Sequence, residues 1–106
     1  MRGGAELDID WDEAKRLDVL RKRGIELADA ALIFEGFVVT RRDDRHDYGK
    51  ERFISVGLAD GECFVVVHTR RGDAIRIVTA WKGGRSARAQ HQAGLARRDQ
   101  GDEGQG

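Results

Sequence analysis

This sequence contains very little cysteine and no proline at all. Its 106 residues include one cysteine, Cys63, and no proline. A single thiol can form neither an internal disulfide nor a cysteine-based metal site, which favours a reducing compartment. No apolar run approaches the roughly 20 residues that a membrane helix requires, and the N-terminal MRGGAELDID lacks the apolar stretch of a secretion signal. We therefore expect a cytoplasmic protein that does not enter a membrane.

Several enzyme motifs are also missing. The sequence contains no zinc-ligand spacing, no phosphate-cradling glycine motif and no G-x-S-x-G elbow. The sequence therefore gives no support to a function as a metal hydrolase, a nucleotide-binding protein or a serine hydrolase. We expect no cofactor and no bound metal.

The net charge is +0, but the basic residues are concentrated in one stretch. Residues 70–98 hold eight Lys and Arg side chains against Asp73, which gives +7. Residues 1–36 carry −3, residues 37–69 carry −1 and residues 99–106 carry −3. The basic stretch suits the phosphates of RNA, and a solvated helix face explains it equally well.

The first third of the chain has helical spacing of apolar residues. One helix is predicted over residues 12–23, with Asp10 or Asp12 as its cap and Gly24 as its end. A second short helix is predicted between Ile25 and Gly36. Two helices joined at Gly24 form a hairpin or a corner.

The second part of the chain predicts four strands. These are the runs FVVTR, RFISVGL, CFVVVHTR and AIRIVTA, which are rich in Val, Ile, Phe and Thr. Short glycine-containing turns join the last three, so they should form an antiparallel meander. The third run is apolar on both faces and should be the central strand. In the fourth run, Ile75, Ile77 and Thr79 alternate with Arg76, Val78 and Ala80.

A last helix is predicted from Arg85 to Leu95. Residues 1–7 and 93–106 are predicted to be flexible tails, because the C-terminal segment is rich in Gly and polar residues. The predicted fold class is α+β, with N-terminal helices, a four-stranded antiparallel meander sheet and a C-terminal helix.

The three histidines are candidates for proton transfer. Cleavage of RNA without a metal needs a base, an acid and cations that stabilise the phosphate charge. His46 lies in the polar loop DDRHDYGKER, which also holds Tyr48; His68 ends the third strand and His91 lies in the last helix. Each has a structural alternative: a salt-bridged turn for His46, a packed anchor for Tyr48, a hydrogen-bonded core residue for His68 and a solvated helix position for His91.

Arg76 lies inside an otherwise apolar strand and needs an anionic partner. A ligand phosphate is one candidate, and an ion pair with Glu51 at the start of the second strand is the other. Trp81 can stack on a base or close the core, and Trp11 is expected to be a hydrophobic anchor.

The order of these segments resembles one known family. The segments are DIDWDEAKRLDVLRKRGIELADAALIF, DDRHDYGKERFISVGLADG and VVVHTRRGDAIRIVTAWKG. They are similar to the BrnT family, the toxin half of a type II toxin-antitoxin pair, over residues 8–92. The resemblance implies a RelE-like ribonuclease fold, RNA cleavage that inhibits translation, and a ribbon-helix-helix antitoxin, BrnA, through which the complex reaches operator DNA.

The resemblance carries over to the polar positions His46, Tyr48, Glu51, Arg52, His68, Thr69, Arg71, Arg76 and Lys82. His91, Trp81, Arg85 and Arg88 are added as candidates from their own residue types and positions. The expected catalytic set is Arg76, His68, Lys82, Arg52, His46 and His91, and the expected substrate-binding set is Arg71, Tyr48, Trp81, Arg85 and Arg88.

The segment TAWKGGRSARAQHQ departs from the family pattern. Trp81 replaces an arginine, Ala87 an acidic residue and His91 a tyrosine. Three functions are therefore open: an active endoribonuclease toxin, a degenerate toxin that binds an antitoxin without cutting RNA, and a general RNA-binding domain.

Overall fold

The computed structural model describes residues 8–44, 49 and 51–105, with residues 99–105 described by their backbone alone. The strands are β1 (Ile9–Trp11), β2 (Val38–Arg42), β3 (Phe53–Ala59), β4 (Glu62–Arg71) and β5 (Ala74–Lys82). The helices are α1 (Glu13–Arg23), α2 (Leu27–Ala31), a 3₁₀ helix (Leu32–Glu35) and α3 (Arg85–Gln105).

Helix α1 begins and ends where the sequence predicts. The side chain of Asp12 accepts a hydrogen bond from the backbone N of Ala14 at 3.0 Å, which caps the first turn. Gly24 ends the helix in the left-handed conformation at φ 67°, and its N–H donates to the carbonyl of Leu20. The predicted second helix is confirmed as two short pieces, α2 and the 3₁₀ helix.

The sheet has five strands in the order β1-β5-β4-β3-β2. The four predicted strands and their antiparallel meander are confirmed, but the strand count was wrong. Strand β1 was missed, and it pairs parallel to β5, with Asp10 opposite Arg76. Three residues before a helix cap are too few to establish a period-two pattern, which explains the omission.

Strand β4 lies at the centre of the sheet and is buried on both sides, as its composition predicts. On one side, α1, α2 and the 3₁₀ helix cover Phe64, Val66 and Ile77. On the other side, α3 packs against the layer that contains Val56 and Val65. The sheet therefore separates two thin apolar layers.

A β-bulge interrupts the pairing of β4 with β5. Val67 is opposite Thr79 while the next residue, His68, is opposite Ile77, so Val78 is an extra residue on β5. The predicted strict alternation along β5 is therefore wrong beyond Ile77. Ala80, and not Thr79, joins the core layer of Ile77.

Helix α3 runs to Gln105, beyond the predicted end at Leu95, so its backbone continues into the segment predicted to be a flexible tail. Gly94 lies within this helix, at the point where α3 approaches β2 closely. A Cβ at this position would come within 2.5 Å of Val39 Cγ2. Among the described residues, no helix combines the length and apolar composition needed to cross a membrane.

Candidate nucleic-acid interface

One face of the sheet gathers four arginines. Arg76 is opposite Thr69 on β4 and opposite Asp10 on β1. Continuing the β3–β4 register by one residue brings Arg52 beside Thr69, since Phe53 is opposite His68. Side chains alternate along strands, so Arg76, Thr69 and Arg52 project from the same face.

The other two arginines follow from the same register. Arg41 is opposite Ile54, which is opposite Val67, and Arg71 lies two residues beyond Thr69. We call this surface the arginine face; it consists of Arg41, Arg52, Arg71 and Arg76. Arg41 and Arg71 are exposed, whereas Arg52 and Arg76 are half-buried.

Arg76 is held by a carboxylate that the sequence analysis missed. Its Nη1 donates to Asp10 Oδ1 at 3.1 Å, with 27% of the Arg76 side chain and 50% of the Asp10 side chain exposed. The alternative pair with Glu51 is wrong, because Glu51 contacts Arg42 at 3.2 Å instead. The alternation of Asp8 and Asp10 with Ile9 and Trp11 was the available, though short, signal for β1.

Asp43 lies beside Arg52, on the side away from Thr69, Arg76 and Asp10. Its backbone N–H donates to the carbonyl of Arg52 at 2.8 Å, which continues the β2–β3 ladder beyond its last strand residue. Asp43 is buried at 5% exposure. A row of Asp43, Arg52, Thr69, Arg76 and Asp10 therefore crosses the sheet.

His68 lies on the other face of the sheet. Its Nε2 hydrogen-bonds the Ser55 hydroxyl at 2.8 Å, and that hydroxyl hydrogen-bonds Thr40 Oγ1 at 2.7 Å. The imidazole lies edge-on to Phe34 and stacks on Phe53, with 4% of the residue exposed. Burial, assisted by the charge of Arg70, lowers the pKa of His68 to about 4. His68 is thus a neutral core histidine near pH 7, the structural alternative named above.

His91 is buried beneath α3, so the expectation of a solvated helix position was wrong. Its Nε2 lies 3.0 Å from the carbonyl oxygen of Phe37, and its ring lies against the Phe37 ring, with centroids 5.5 Å apart. The approach of α3 to β2 at Gly94 brings these two rings together. His91 therefore joins a helix to a strand edge.

The remaining predicted basic residues lie at the other end of β5. Lys82 is about 20 Å along the strand from Arg76 and pairs with Glu62 at 2.9 Å. Arg85 and Arg88 follow at the exposed start of α3, where Arg88 Nη2 donates to the carbonyl of Gly61 at 3.2 Å. The structure therefore does not bring Lys82 together with Arg76 and Arg52, because Lys82 ends β5 whereas Arg76 lies near its start.

Both tryptophans pack against the apolar core of the protein. Trp81 is half-buried against both apolar layers, and the guanidinium of Arg23 lies 5.8 Å from the centre of its ring. Trp11 packs against the layer beneath α1 and α2, as expected. Trp81 therefore contacts the core at the far end of β5 from Arg76.

His46 and Tyr48 lie outside the described residues. The described residues nearest to them in the sequence are Asp44 and Gly49. Asp44 and Glu51, which lie between β2 and β3, both contact Arg42, at 3.2 Å each.

The arginine face has the donors for a phosphodiester. Guanidinium groups stay charged and present paired N–H donors that match phosphate oxygens. Thr69 adds a hydroxyl at the centre of the row, although it is buried at 3% exposure. This arrangement can bind a phosphate and stabilise negative charge that develops on it.

Comparisons of the sequence and of the fold with known proteins identify the family of this chain. The family model described as the ribonuclease toxin BrnT of type II toxin-antitoxin systems matches residues 11–88. The crystal structure of the Brucella abortus ribonuclease toxin BrnT is similar in fold, with a TM-score of 0.56 and 21% sequence identity. That similarity covers 76% of this chain and 100% of the Brucella chain. No curated protein matches. The family match spans most of the chain, including Arg52, Thr69 and Arg76, and this chain therefore belongs to the BrnT family of ribonuclease toxins of type II toxin-antitoxin systems.

Proposed function

We propose that this chain is an endoribonuclease toxin that cleaves RNA without a metal ion and thereby inhibits translation. It acts in the cytoplasm, where a BrnA-like ribbon-helix-helix antitoxin neutralises it and carries the complex to operator DNA. The family match supports the general activity and the existence of a protein antitoxin. The finer points are inferences from the resemblance and from the charges of the site.

The observation that carries the proposal is the half-buried Arg76 on the arginine face. Removing a guanidinium partly from water has a free-energy cost that strong anionic partners offset. Asp10 supplies one such partner through a single 3.1 Å contact, and no further side-chain partner of Arg76 lies among the described residues. The remaining donors can bind an RNA phosphate, with Arg52 as the second cation of the row.

Proton transfer is assigned to His46 and Tyr48 rather than to His68 or His91. His68 projects from the opposite face and His91 is bonded to the Phe37 carbonyl beneath α3. An imidazole can serve as base or acid near neutral pH when its pKa is close to the ordinary value of about 6.5. His46 and Tyr48 lie in the sequence between β2 and β3, the strand that Arg52 precedes.

Arg76→Ala tests the proposal directly. RNA cleavage by the purified protein should fall by about 100-fold or more, because one preorganised cation facing the developing charge contributes about that much. Arg21→Ala is the matched control, since Arg21 is an exposed residue on α1 and loses the same charge. Thermal unfolding of both variants should occur within a few degrees of the parent. Full cleavage by the Arg76 variant would show that Arg76 is structural.

Metal independence and partner identity need separate measurements. Cleavage should persist in EDTA, and a loss of activity restored by Mg²⁺ would overturn metal independence. Growth arrest on induction should disappear when a BrnA-like antitoxin is expressed with the chain, and the two proteins should purify as one complex.

One observation favours a second function. Among the described residues, neither His68 nor His91 reaches the arginine face, so a degenerate toxin that binds its antitoxin without cutting RNA is the alternative. It predicts antitoxin binding with no growth arrest and no cleavage. His46→Ala separates the two, because it should abolish cleavage only if His46 supplies the proton-transfer group of an active enzyme.

A further inference from the structure

The carboxylate of Asp10 is built into the arginine face by the parallel pairing of β1 with β5. Asp10 is opposite Arg76, between Ile9 and Trp11, which are half-buried and packed on the core side. Alternation turns the Asp10 side chain away from that core and towards Arg76. The position of this carboxylate is therefore fixed by the strand.

The contact between the two groups is partial. Arg76 Nη1 meets a single oxygen, Asp10 Oδ1, and the pair lies at the solvent edge of the row. A bidentate pair would occupy both donors of the guanidinium edge, whereas this contact leaves donors available for a phosphate. The same contact restricts the rotamers of the long Arg76 side chain and so orients its guanidinium.

We propose that Asp10 is a positioning residue, which orients Arg76 for cleavage and at the same time weakens the binding of uncleaved RNA. The proposal rests on the proposed function, in which Arg76 contacts the reacting phosphate. A nearby carboxylate repels every bound phosphate. An oriented Arg76 favours the extra negative charge that the phosphate gains during the reaction. The carboxylate repels the more highly charged transition state as well, but the orientation of Arg76 outweighs that repulsion. Asp10 therefore shifts interaction energy from the bound substrate to the transition state.

Asp10→Asn separates these two effects, because it removes the charge and keeps the shape. Binding of a 2′-O-methyl RNA oligonucleotide, which cannot be cleaved, should become about threefold tighter, as expected for the loss of one repulsive charge several ångströms away in water. The single-turnover cleavage rate at saturating protein should fall by about tenfold, because Arg76 loses its orientation. A structural role alone would not produce tighter binding together with slower cleavage.

Asp18→Asn is the matched control. Asp18 is an exposed carboxylate on α1 that pairs with Lys22 at 3.2 Å, so its amide variant changes the net charge by the same amount. It should leave both RNA affinity and cleavage rate within about twofold of the parent.

Asp10→Glu is the second variant. It keeps the charge and the pair with Arg76, so it should recover most of the cleavage rate and bind RNA as the parent does. This variant also provides the test if Asp10→Asn fails to fold, since a Glu variant with tighter binding would overturn the proposal.

The outcomes distinguish this proposal from the proposed function. If Asp10→Asn leaves RNA affinity and cleavage rate unchanged while Arg76→Ala is inactive, the proposed role of Asp10 is wrong but the role of Arg76 is supported. If Arg76→Ala cleaves RNA normally, the proposed function of Arg76 is wrong, and the role of Asp10 that rests on it is wrong as well. If Asp10→Asn binds RNA more weakly, the carboxylate is part of the binding surface and the proposal is wrong.

Discussion

His68 and Arg76 show how environment decides the chemistry of a residue in this molecule. His68 lies on β4 and Arg76 on the neighbouring β5, only one register position apart, but they project from opposite faces. Arg76 reaches the solvent edge beside Asp10, whereas His68 is enclosed by Phe34, Phe53 and the Ser55 hydroxyl. The imidazole is therefore a structural group and the guanidinium is available to a ligand.

The burial of His68 predicts an acid-sensitive fold. Its pKa of about 4 in the folded protein lies below the value of about 6.5 expected when unfolded. Between these values the unfolded chain binds more protons, so the stabilisation is complete above about pH 6.5 and is lost as the pH falls towards 4. The loss should approach 3 kcal/mol, at about 1.4 kcal/mol for each pKa unit.

Urea unfolding at several pH values measures this effect. His68→Gln cannot titrate, so the difference in unfolding free energy between parent and variant should narrow by about 2–3 kcal/mol from pH 7 to pH 4.5. Parallel curves for the two proteins would mean that His68 does not titrate on unfolding.

At the scale of elements, local sequence patterns predicted which segments form helices and strands better than they predicted how the strands pair. Asp12 and Gly24 marked both ends of α1, and the β-rich runs marked four strands. Strand β1 was missed because its three residues are ordered by pairing with β5, a contact between distant parts of the chain. Because the missed strand carries Asp10, the sequence could not predict the carboxylate partner of Arg76. The separation of Lys82 from Arg76 could not be predicted either, since sequence proximity does not show which end of a strand carries each residue.

The contact of α3 with β2 depends on Gly94. Alanine has the higher helix propensity by about 1 kcal/mol, but its Cβ would lie 2.5 Å from Val39 Cγ2 and 3.4 Å from the Phe37 ring. Val39 is β-branched and has little rotamer freedom to move aside. We expect Gly94→Ala to lower the unfolding free energy by about 1–2 kcal/mol.

The control for this prediction is Gly36→Ala, just after the 3₁₀ helix, where the backbone is extended. An added Cβ there meets nothing within 4 Å, so its urea midpoint should stay close to that of the parent. A stabilised Gly94→Ala protein would contradict close packing of α3 on β2.

At the scale of the whole molecule, the arrangement of the charged residues, and not the net charge, should determine whether RNA binds. The chain has a formal net charge of +0, and the basic stretch 70–98 is divided by the fold. Arg71 and Arg76 lie at one end of the sheet, whereas Lys82 and Arg88 lie at the other and contact Glu62 and the Gly61 carbonyl. RNA affinity should therefore depend on the arginine face alone.

The salt dependence of RNA binding tests this arrangement. Three or four phosphate contacts on the arginine face predict a slope of log K against log salt of about −2 to −3 for single-stranded RNA. Arg71→Glu should make the slope shallower by about 1, because it removes one exposed cation of that face and adds an anion. Arg21→Glu changes the net charge equally but lies on α1, so it should leave the slope unchanged. Equal changes in both variants would mean that RNA responds to the overall charge of the protein and that the arginine face is not its binding surface.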